Sequence, residues 1–539
     1  YDLMKDTPSL VDENAGNFAV MNPIDKNDGS YTDGNLGIVT GTVGGSTQRA
    51  SMYFNSGKYY WEYTPISNGG ISAPGFETLN SGTFTPQFYQ ADNGQYYNGS
   101  SASSYGATFG NNDVIGIAVD VDNRTVQFFK NGASQGTISS SNSGISVGDS
   151  IIPYVTDRNV GQTTTAAINF GQRPFKYTPP TGFLKLNTFN LPDSTIEKGS
   201  NYFNTVLYNG TGTAQSIDAD LATGFVWIKN RLAGNSHYLY DQVRGAHNGL
   251  ITNSTAVEDG YPYQLTSFDS DGFTVPNDVA GYNNYPGRSY VAWNWKANGS
   301  GSSNTDGSIT STVSANTTSG FSVVTWAGNG ASGATIGHGL GAVPQFIVTK
   351  ARTSSTYSWH TWHTSLGTNY YVALNTASPQ DNSVNIFPTA GMTSTTFQTA
   401  TSAIKYNNLS GVNYVAYCFT GIEGYSAFGS YTGNGSTDGA FVYTGFRPRW
   451  IMLKVVSGQI NATNWQIFDT ARNPNNVIPT YLFADSAGAE SDSASTYFNT
   501  DILSNGFKLR AANTYGINQS GATYIYMAFA ENPFKNSNA

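Results

Sequence analysis

The sequence predicts an all-β chain, one N-terminal β-sandwich followed by three copies of a β-rich repeat, and three observations carry that expectation. Charged residues make up only 11 % of the chain, against roughly 25 % in ordinary globular proteins, while glycines number 60 and aromatics reach 14 %. No stretch combines Ala, Glu, Lys and Leu with a 3.6-residue period, whereas 35 Tyr and 30 Phe suit pleated, half-buried surfaces. Finally, four sequence landmarks recur in the same order three times beyond residue 200, the signature of repeated architecture. At 539 residues the chain exceeds one hydrophobic core, and its length implies about three or four domains.

The first element is residues 1–178. Gly57-Lys-Tyr-Tyr-Trp-Glu-Tyr63 has strand composition, and Asp113-Val-Ile-Gly-Ile-Ala-Val-Asp120 carries apolar residues on both parities, as a strand covered on both faces does. Val-Asp-Asn-Arg at 121–124 supplies a turn, and Thr125-Val-Gln-Phe-Phe-Lys-Asn-Gly132 returns from it. Two stacked sheets satisfy this pattern. A linker is expected at 179–200.

These residues resemble a SPRY domain, a concanavalin-like β-sandwich used for binding. The resemblance lies in Gly57-Lys-Tyr-Tyr-Trp-Glu62, Asp113 to Asp120, Val126-Gln-Phe-Phe-Lys-Asn-Gly132, Ile151-Ile-Pro-Tyr154 and Ile168-Asn-Phe-Gly171, in that order. Asp6-Thr-Pro8, Asn17-Phe-Ala19 with Met21-Asn-Pro23, and Asn169-Phe-Gly-Gln-Arg-Pro-Phe175 followed by Tyr177-Thr-Pro-Pro-Thr-Gly-Phe183 are similar to the SPRY-like modules of phage structural proteins.

The repeats occupy 201–297, 320–424 and 425–539. Each opens on a strand ending in a Gly-Asn-Gly-like turn: Val206-Leu-Tyr-Asn-Gly-Thr-Gly212, Val324-Thr-Trp-Ala-Gly-Asn-Gly330 and Gly429-Ser-Tyr-Thr-Gly-Asn-Gly435. An apolar strand ending in lysine follows: Phe225-Val-Trp-Ile-Lys229, Phe346-Ile-Val-Thr-Lys350 and Trp450-Ile-Met-Leu-Lys454. The third landmark runs Ser236 to Gly245, Ser358 to Gly367 and Asn464 to Asn473. The fourth is Tyr290-Val-Ala-Trp-Asn-Trp295, Tyr414-Val-Ala-Tyr-Cys-Phe419 and Tyr524-Ile-Tyr-Met-Ala-Phe529. Equivalent lysines lie a domain's length apart, so each copy is expected to form a β-sandwich or jelly-roll-like domain with its own core. Before the fourth landmark, Ser270-Asp-Gly-Phe273 and Ser504-Asn-Gly-Phe507 carry type I′ turn chemistry. A Ser/Gly-rich linker at 298–319 is expected to be flexible, and 421–426 to be a tight junction. Trp227-Ile-Lys-Asn-Arg231, Tyr290-Val-Ala-Trp-Asn-Trp-Lys-Ala297 and Ala528-Phe-Ala-Glu-Asn-Pro-Phe534 resemble motifs of phage tail-fibre-like proteins.

Chemistry is sparse. The net charge of −9 comes from 26 basic and 35 acidic residues without a Lys/Arg cluster, so a nucleic-acid partner is not expected. One cysteine, Cys418, excludes an intrachain disulfide. No apolar run reaches the ~18 residues of a membrane span, and the N-terminus lacks a basic-then-apolar secretion signal. A start at Tyr1 rather than Met points to processing or to an upstream segment. His360 and His363 stand three apart on a strand and face opposite sides, so no metal site is expected there. Asp241 with Arg244 and Asp469 with Arg472 read as structural pairs. Lys229, Lys350 and Lys454 read as hydrated charges that stop edge pairing. No catalytic residue and no cofactor are expected, since neither a nucleophile elbow, a phosphate loop nor an obvious carboxylate pair is present.

What remains is a surface rich in Tyr, Asn, Ser, Gly and Trp, suited to sugars or protein surfaces. Tyr89, Tyr96 and Tyr97 are the candidate contacts, with Trp359 and Trp362 behind them. The resemblance implies a phage virion protein, extracellular or on the particle, forming a tail or surface fibre that binds host-surface glycan or protein alongside other virion proteins. It also implies a homo-oligomer, a trimer by family analogy. The alternatives are a capsid-decorating or purely structural fibre, a host-glycan depolymerase, and a cellular surface lectin or filament subunit.

Overall fold

The structure is a computed structural model that describes residues 16–534, apart from 27, 43–44, 69–70, 81–82, 160, 260–263, 402–405, 460, 493–496 and 513–514. Asp6-Thr-Pro8 lies outside the described residues. Among those described the regular structure is strand, with two single 3₁₀ turns at Gly199–Asn201 and Thr389–Gly391. The all-β expectation holds. They divide between two compact units that meet in sequence at Asp193 and Ser194.

The first unit is a sandwich of two seven-stranded antiparallel sheets. Lys58–Asn68 is central in one of them, paired with Ile115–Asp120 on one side and Thr164–Asn169 on the other. Its Tyr59, Tyr60, Trp61 and Tyr63 are buried. Glu62 accepts the backbone N–H groups of Lys176 (2.8 Å) and Tyr177 (2.9 Å), clamping the segment that leaves the sandwich. The hairpin between Asp120 and Thr125 forms as the turn chemistry requires, with Asp120 Oδ1 accepting the Asn123 N–H at 3.0 Å. The next turn joins Lys130 to Ala133 through Asn131 (φ 49°) and Gly132 (φ 80°), the two left-handed residues of a type I′ turn.

The linker expected at 179–200 is not one. Leu184 exchanges backbone hydrogen bonds with Lys58 and Tyr60, and Leu186 and Leu191 are buried, so residues to 193 belong to the sandwich. Ile196 already lies in the core of the second unit. Apolar Leu and Ile spaced through a Pro- and Ser-containing stretch find cover there, and burial overrides loop composition.

In the second unit each copy is a two-layer sandwich. Its larger sheet has the lysine strand in the interior, flanked by the closing strand and the aromatic strand; Phe225–Asn230 lies between Ser289–Trp295 and His237–Asp241. A two- or three-stranded sheet covers one face. Parity assigns the faces. Val226, Ile228, Tyr290 and Ala292 point into the copy's own core, whereas Phe225, Trp227, Val291, Trp293 and Trp295 point into a cluster shared by all three copies. The separate cores expected for the copies are therefore joined by a common one. Trp295, Phe419 and Phe529, the last residues of the three closing strands, meet one another at ring-centroid distances of 6.3, 6.0 and 5.7 Å and mark a pseudo-threefold centre.

Residues 298–319, expected to be a flexible linker, instead form two strands. Ser302–Asn304 and Ser311–Asn316 pair with each other and extend the copy-two sheet from Phe321–Ala327. Ser and Thr at the exposed positions hide a strand whose Ile309, Ser311 and Val313 are buried. The hairpins at 269–272 and 503–506 form, but neither uses left-handed residues, since none of 270–272 or 504–506 has positive φ. Their glycines serve close approach instead: a Cβ on Gly272 would meet the Ile217 carbonyl, and one on Gly506 that of Val442.

Candidate binding clefts and the seams between copies

The tyrosines singled out in the sandwich do not form an open contact surface. Tyr89 and Tyr96 are fully buried. Tyr89 donates to the Ala107 carbonyl, and Tyr96 to that of Ser143 at 2.6 Å. Tyr97 is half-buried, stacked on Phe88 at 5.0 Å with its hydroxyl donating to Gly99 O. Trp359 and Trp362 are also buried, Trp362 in the core of copy two and Trp359 against copy one, where its Nε1 donates to Ile251 O (2.9 Å) and Ser254 O (3.1 Å). As contact candidates these residues are corrected. A buried polar tip that finds a backbone acceptor is as good a use of Tyr or Trp as an exposed one.

Trp359 lies on a seam, and the seams close a ring. Copy two packs on copy one, copy three on copy two and copy one on copy three through equivalent bonds: Glu258 N to Arg352 O (2.7 Å), Gln380 N to Val456 O (3.1 Å) and Glu490 N to Arg231 O (2.8 Å). Trp465 Nε1 donates to Ala373 O at 3.0 Å as Trp359 does to Ile251 O. In copy one this column is His237, whose Nδ1 accepts from Trp227 Nε1 at 2.9 Å.

The repeated lysines are buried rather than hydrated at an edge, because their strands lie inside the sheets, and Lys229 and Lys350 reach across seams. Lys229 Nζ donates to Asn235 O (2.7 Å) and, across a seam, to Ala487 O (3.1 Å). Lys350 Nζ donates to Ala351 O (2.9 Å) and, across a seam, to Thr255 O (3.0 Å), and Lys454 Nζ to Thr463 O (2.7 Å). Burial pushes each ammonium down to about 8.

Two seams are ionic. At the first, Arg244 Nε binds Asp241 (2.5 Å), its Nη1 binds Glu258 (2.9 Å), and Glu258 reaches Arg352 of copy two (2.7 Å). Tyr417 of copy two donates to Asp241 at 2.9 Å. At the seam between copies three and one, Asp469, Arg472, Glu490 and Arg231 repeat the network, and Trp293 Nε1 donates to Asp469 at 3.1 Å. The remaining seam replaces all five positions with residues of no formal charge, His363, Leu366, Gln380, Val456 and Met527. Met527 stands where Tyr417 and Trp293 offer a donor. His363 has no such donor to receive and instead bonds the Tyr526 carbonyl (3.0 Å) while accepting from Ser365 N (2.9 Å). Burial pushes its imidazole down to about 4. The structural reading of both Asp-Arg pairs holds, and copy two's departure from it has this cause. His360 points the other way, toward Tyr371 and Tyr406.

Among the described residues, two open clefts stand at equivalent stations of copies two and three, and a third, of about 280 Å³, lies elsewhere on copy two beside Trp326 and Arg352. The copy-two cleft, of about 330 Å³, is lined by Tyr357, Ser358, His360, Tyr371, Asp381 and Tyr406 among others. Tyr357 and Tyr406 meet edge to face at 4.9 Å, and His360 lies 5.2 Å from Tyr406. Asp381 accepts from Tyr371 OH (3.0 Å), Ser383 N (2.7 Å) and Ser383 Oγ (2.9 Å). Partial burial raises its carboxyl, but these donors outweigh that and hold it below the usual carboxylate range. Burial, with the Lys350 charge beneath, pushes His360 down to about 3 and keeps it neutral. The copy-three cleft, of about 370 Å³, is lined by Thr463, Asn464, Tyr497, Phe498, Tyr515 and Gly516. Its Tyr497 and Tyr515 are exposed and 6.1 Å apart. Ser358, His360 and Asn464 belong to the third landmark, whereas Tyr371, Asp381, Tyr406, Tyr497 and Tyr515 lie outside the four landmarks and were missed; aligning Ser358 with Asn464 and Tyr406 with Gly516 is the signal that places both clefts at one station.

Among the described residues no group of three or more His, Cys, Asp or Glu is placed to hold a metal ion, and no helix is long and apolar enough to cross a membrane.

Comparison with known proteins finds a SPRY domain at residues 66–173. The ATP-dependent RNA helicase Ddx1 of Drosophila melanogaster is 32 % identical over 132 residues, covering 24 % of this chain and 17 % of that protein. The ATP-dependent RNA helicase DDX1 of Xenopus laevis is 29 % identical over 176 residues, 31 % of this chain and 21 % of that protein. The chain thus spans about a fifth of the length of these curated relatives. The crystal structure of the SPRY domain of human HERC1 shares 20 % identity, covering 29 % of this chain and 99 % of that one, with a TM-score of 0.25. The family described as Domain of unknown function (DUF7483) matches residues 198–533, the whole three-copy unit and more than half of the sequence, and the chain belongs to that family.

Proposed function

We propose that this chain is a non-enzymatic binding and structural subunit of a bacterial-virus fibre, and that it holds a host-surface glycan or protein in clefts on its three-copy unit. The observation that carries the binding part is the recurrence of an open, aromatic cleft at one station in copies two and three. The viral part rests on the motif resemblances in both halves of the sequence. A binder is favoured over a depolymerase because, among the described residues, Asp381 is the one carboxylate lining either cleft, whereas glycoside hydrolysis generally uses a pair. The ring of seams supports a load-bearing role, since each copy is held by the other two. Whether the chain assembles further, as a homotrimer or with other virion proteins, belongs to the same proposal.

The test is adsorption. Purified full-length chain, fluorescently labelled, binds candidate host bacteria and reduces adsorption of the corresponding virus. Failure of both removes the host-binding reading and leaves the capsid-decorating or purely structural fibre. Release of new reducing ends from host polysaccharide would overturn the non-enzymatic reading.

A further inference from the structure

From the copy-two cleft we infer a site for a neutral saccharide, with a pyranose ring lying against Tyr406 and Tyr357 and its hydroxyls bonded to Asp381 and Ser378. This rests on the binding function proposed above and names its ligand class and place. The size fits, because about 330 Å³ falls at the small end of the roughly 300–1,000 Å³ of small-molecule clefts.

The chemistry narrows the class. Sugars present an apolar C–H face and an edge of hydroxyls, so they need a flat aromatic beside acceptors and donors. Tyr406 and Tyr357 are half-buried rings fixed edge to face. Asp381 is an acceptor already aligned by Tyr371 and Ser383, and such alignment lowers the entropic cost of binding. Among the described residues no Lys or Arg lines the cleft, and a neutral His360 supplies no charge. A phosphate, sialic acid or uronic acid would therefore meet the Asp381 carboxylate with no cation among the described wall residues to offset it, the Lys350 ammonium beneath being turned onto the Thr255 and Ala351 carbonyls. A quaternary ammonium would find tyrosines and a carboxylate, but such ligands are held in cages of aromatic faces. Here hydroxyl side chains such as Ser378 line much of the wall.

The experiment screens the full-length chain against immobilised neutral gluco-, galacto- and manno-oligosaccharides, their uronic-acid counterparts and choline. At least one neutral class is expected to bind, and Tyr406→Ala and Asp381→Asn are each expected to weaken it tenfold or more. Asp381 is exposed, so its amide variant tests the site without threatening the fold, and thermal melting checks both variants. Preference for the uronates or for choline, binding unaffected by either substitution, or no neutral sugar bound overturns the inference. Host-cell binding that persists in both variants overturns this site while leaving the general binding reading intact. Retained sugar binding without host-cell binding does the reverse.

Discussion

The contrast between ionic and uncharged seams makes a quantitative prediction. Arg244→Leu copies into the first seam one residue of the uncharged seam. The side chains of Arg244 and Asp241 are both fully buried, 2.5 Å apart, and Arg244 also donates to Leu239 O and Tyr417 OH at 3.0 Å each. Removing one partner of a buried pair leaves the other charge without compensation and costs about 3–5 kcal/mol. Transferring the whole uncharged set, Asp241→His, Arg244→Leu, Glu258→Gln, Arg352→Val and Tyr417→Met, leaves no orphaned charge. Exchange of a buried ion network for packed neutral groups is often neutral or stabilising, so the five-fold variant is expected to recover to within about 2 kcal/mol of the parent, on the same scale of effects. Urea unfolding followed by tryptophan emission reads this, because every tryptophan but Trp61 lies beyond residue 194. The reasoning is refuted if the single variant costs less than about 1 kcal/mol, below the range for a broken buried pair, or if the five-fold variant is no more stable than the single one.

The reverse change, Leu366→Arg, places an unpartnered cation at a half-buried position of the uncharged seam and is expected to lower the urea midpoint by a smaller free energy, about 1–3 kcal/mol. Lys229, Lys350 and Lys454 sit at about 8 when folded against 10.5 unfolded, so between those values the unfolded chain binds more protons. Stability should therefore rise with pH from about 8 until unfolded tyrosines begin to ionise near 10, by about 1.4 kcal/mol per unit per lysine; melting at pH 7.5 and 9.5 checks it, and replacing all three with Met should flatten the rise. His363, at about 4 when folded against 6.5 unfolded, gives the same sign at lower pH. Its contribution is lost as pH falls from 6.5 toward 4, and a His363→Gln variant should show a shallower acid limb in urea titrations. Val348 is the smallest of the column Trp227, Val348 and Met452, all of which line an apolar gap of about 30 Å³ at the meeting of the copies. Val348→Ile should fill part of it and gain about 0.5–1 kcal/mol in thermal unfolding.

The repeat landmarks were legible because each keeps its residue types in order, and the lysine and Asp-Arg columns followed from their alignment. The shared core was harder to read. Phe225-Val-Trp-Ile228 shows apolar residues on both parities, which says that both faces are covered but not by what. One face meets the copy's own small sheet; the other meets two copies more than a hundred residues away. The lysines were misread for a related reason. A charge at the end of an apolar run looks like an edge device, and only the loops folding over Lys229 and Lys350 with their carbonyls turn it into a buried ammonium. The tyrosines of the sandwich edge and those of the copy-two cleft have the same local composition. What separates Tyr96 from Tyr406 is whether later segments cover it, here Tyr105 and Phe128 against the ring and Ser143 at the hydroxyl, and no local sequence pattern reports that.

The ring of three copies is written once, in one polypeptide, where an assembly of identical chains would repeat every residue threefold. Each station can therefore drift alone. The Tyr406 station has become Gly516 in copy three, with Tyr497 and Tyr515 supplying the aromatic surface instead. A substitution at one station alters a single facet and leaves the other two intact, so on the binding role proposed above ligand preferences could change at one cleft without altering another. A symmetric trimer has to change all three facets at once.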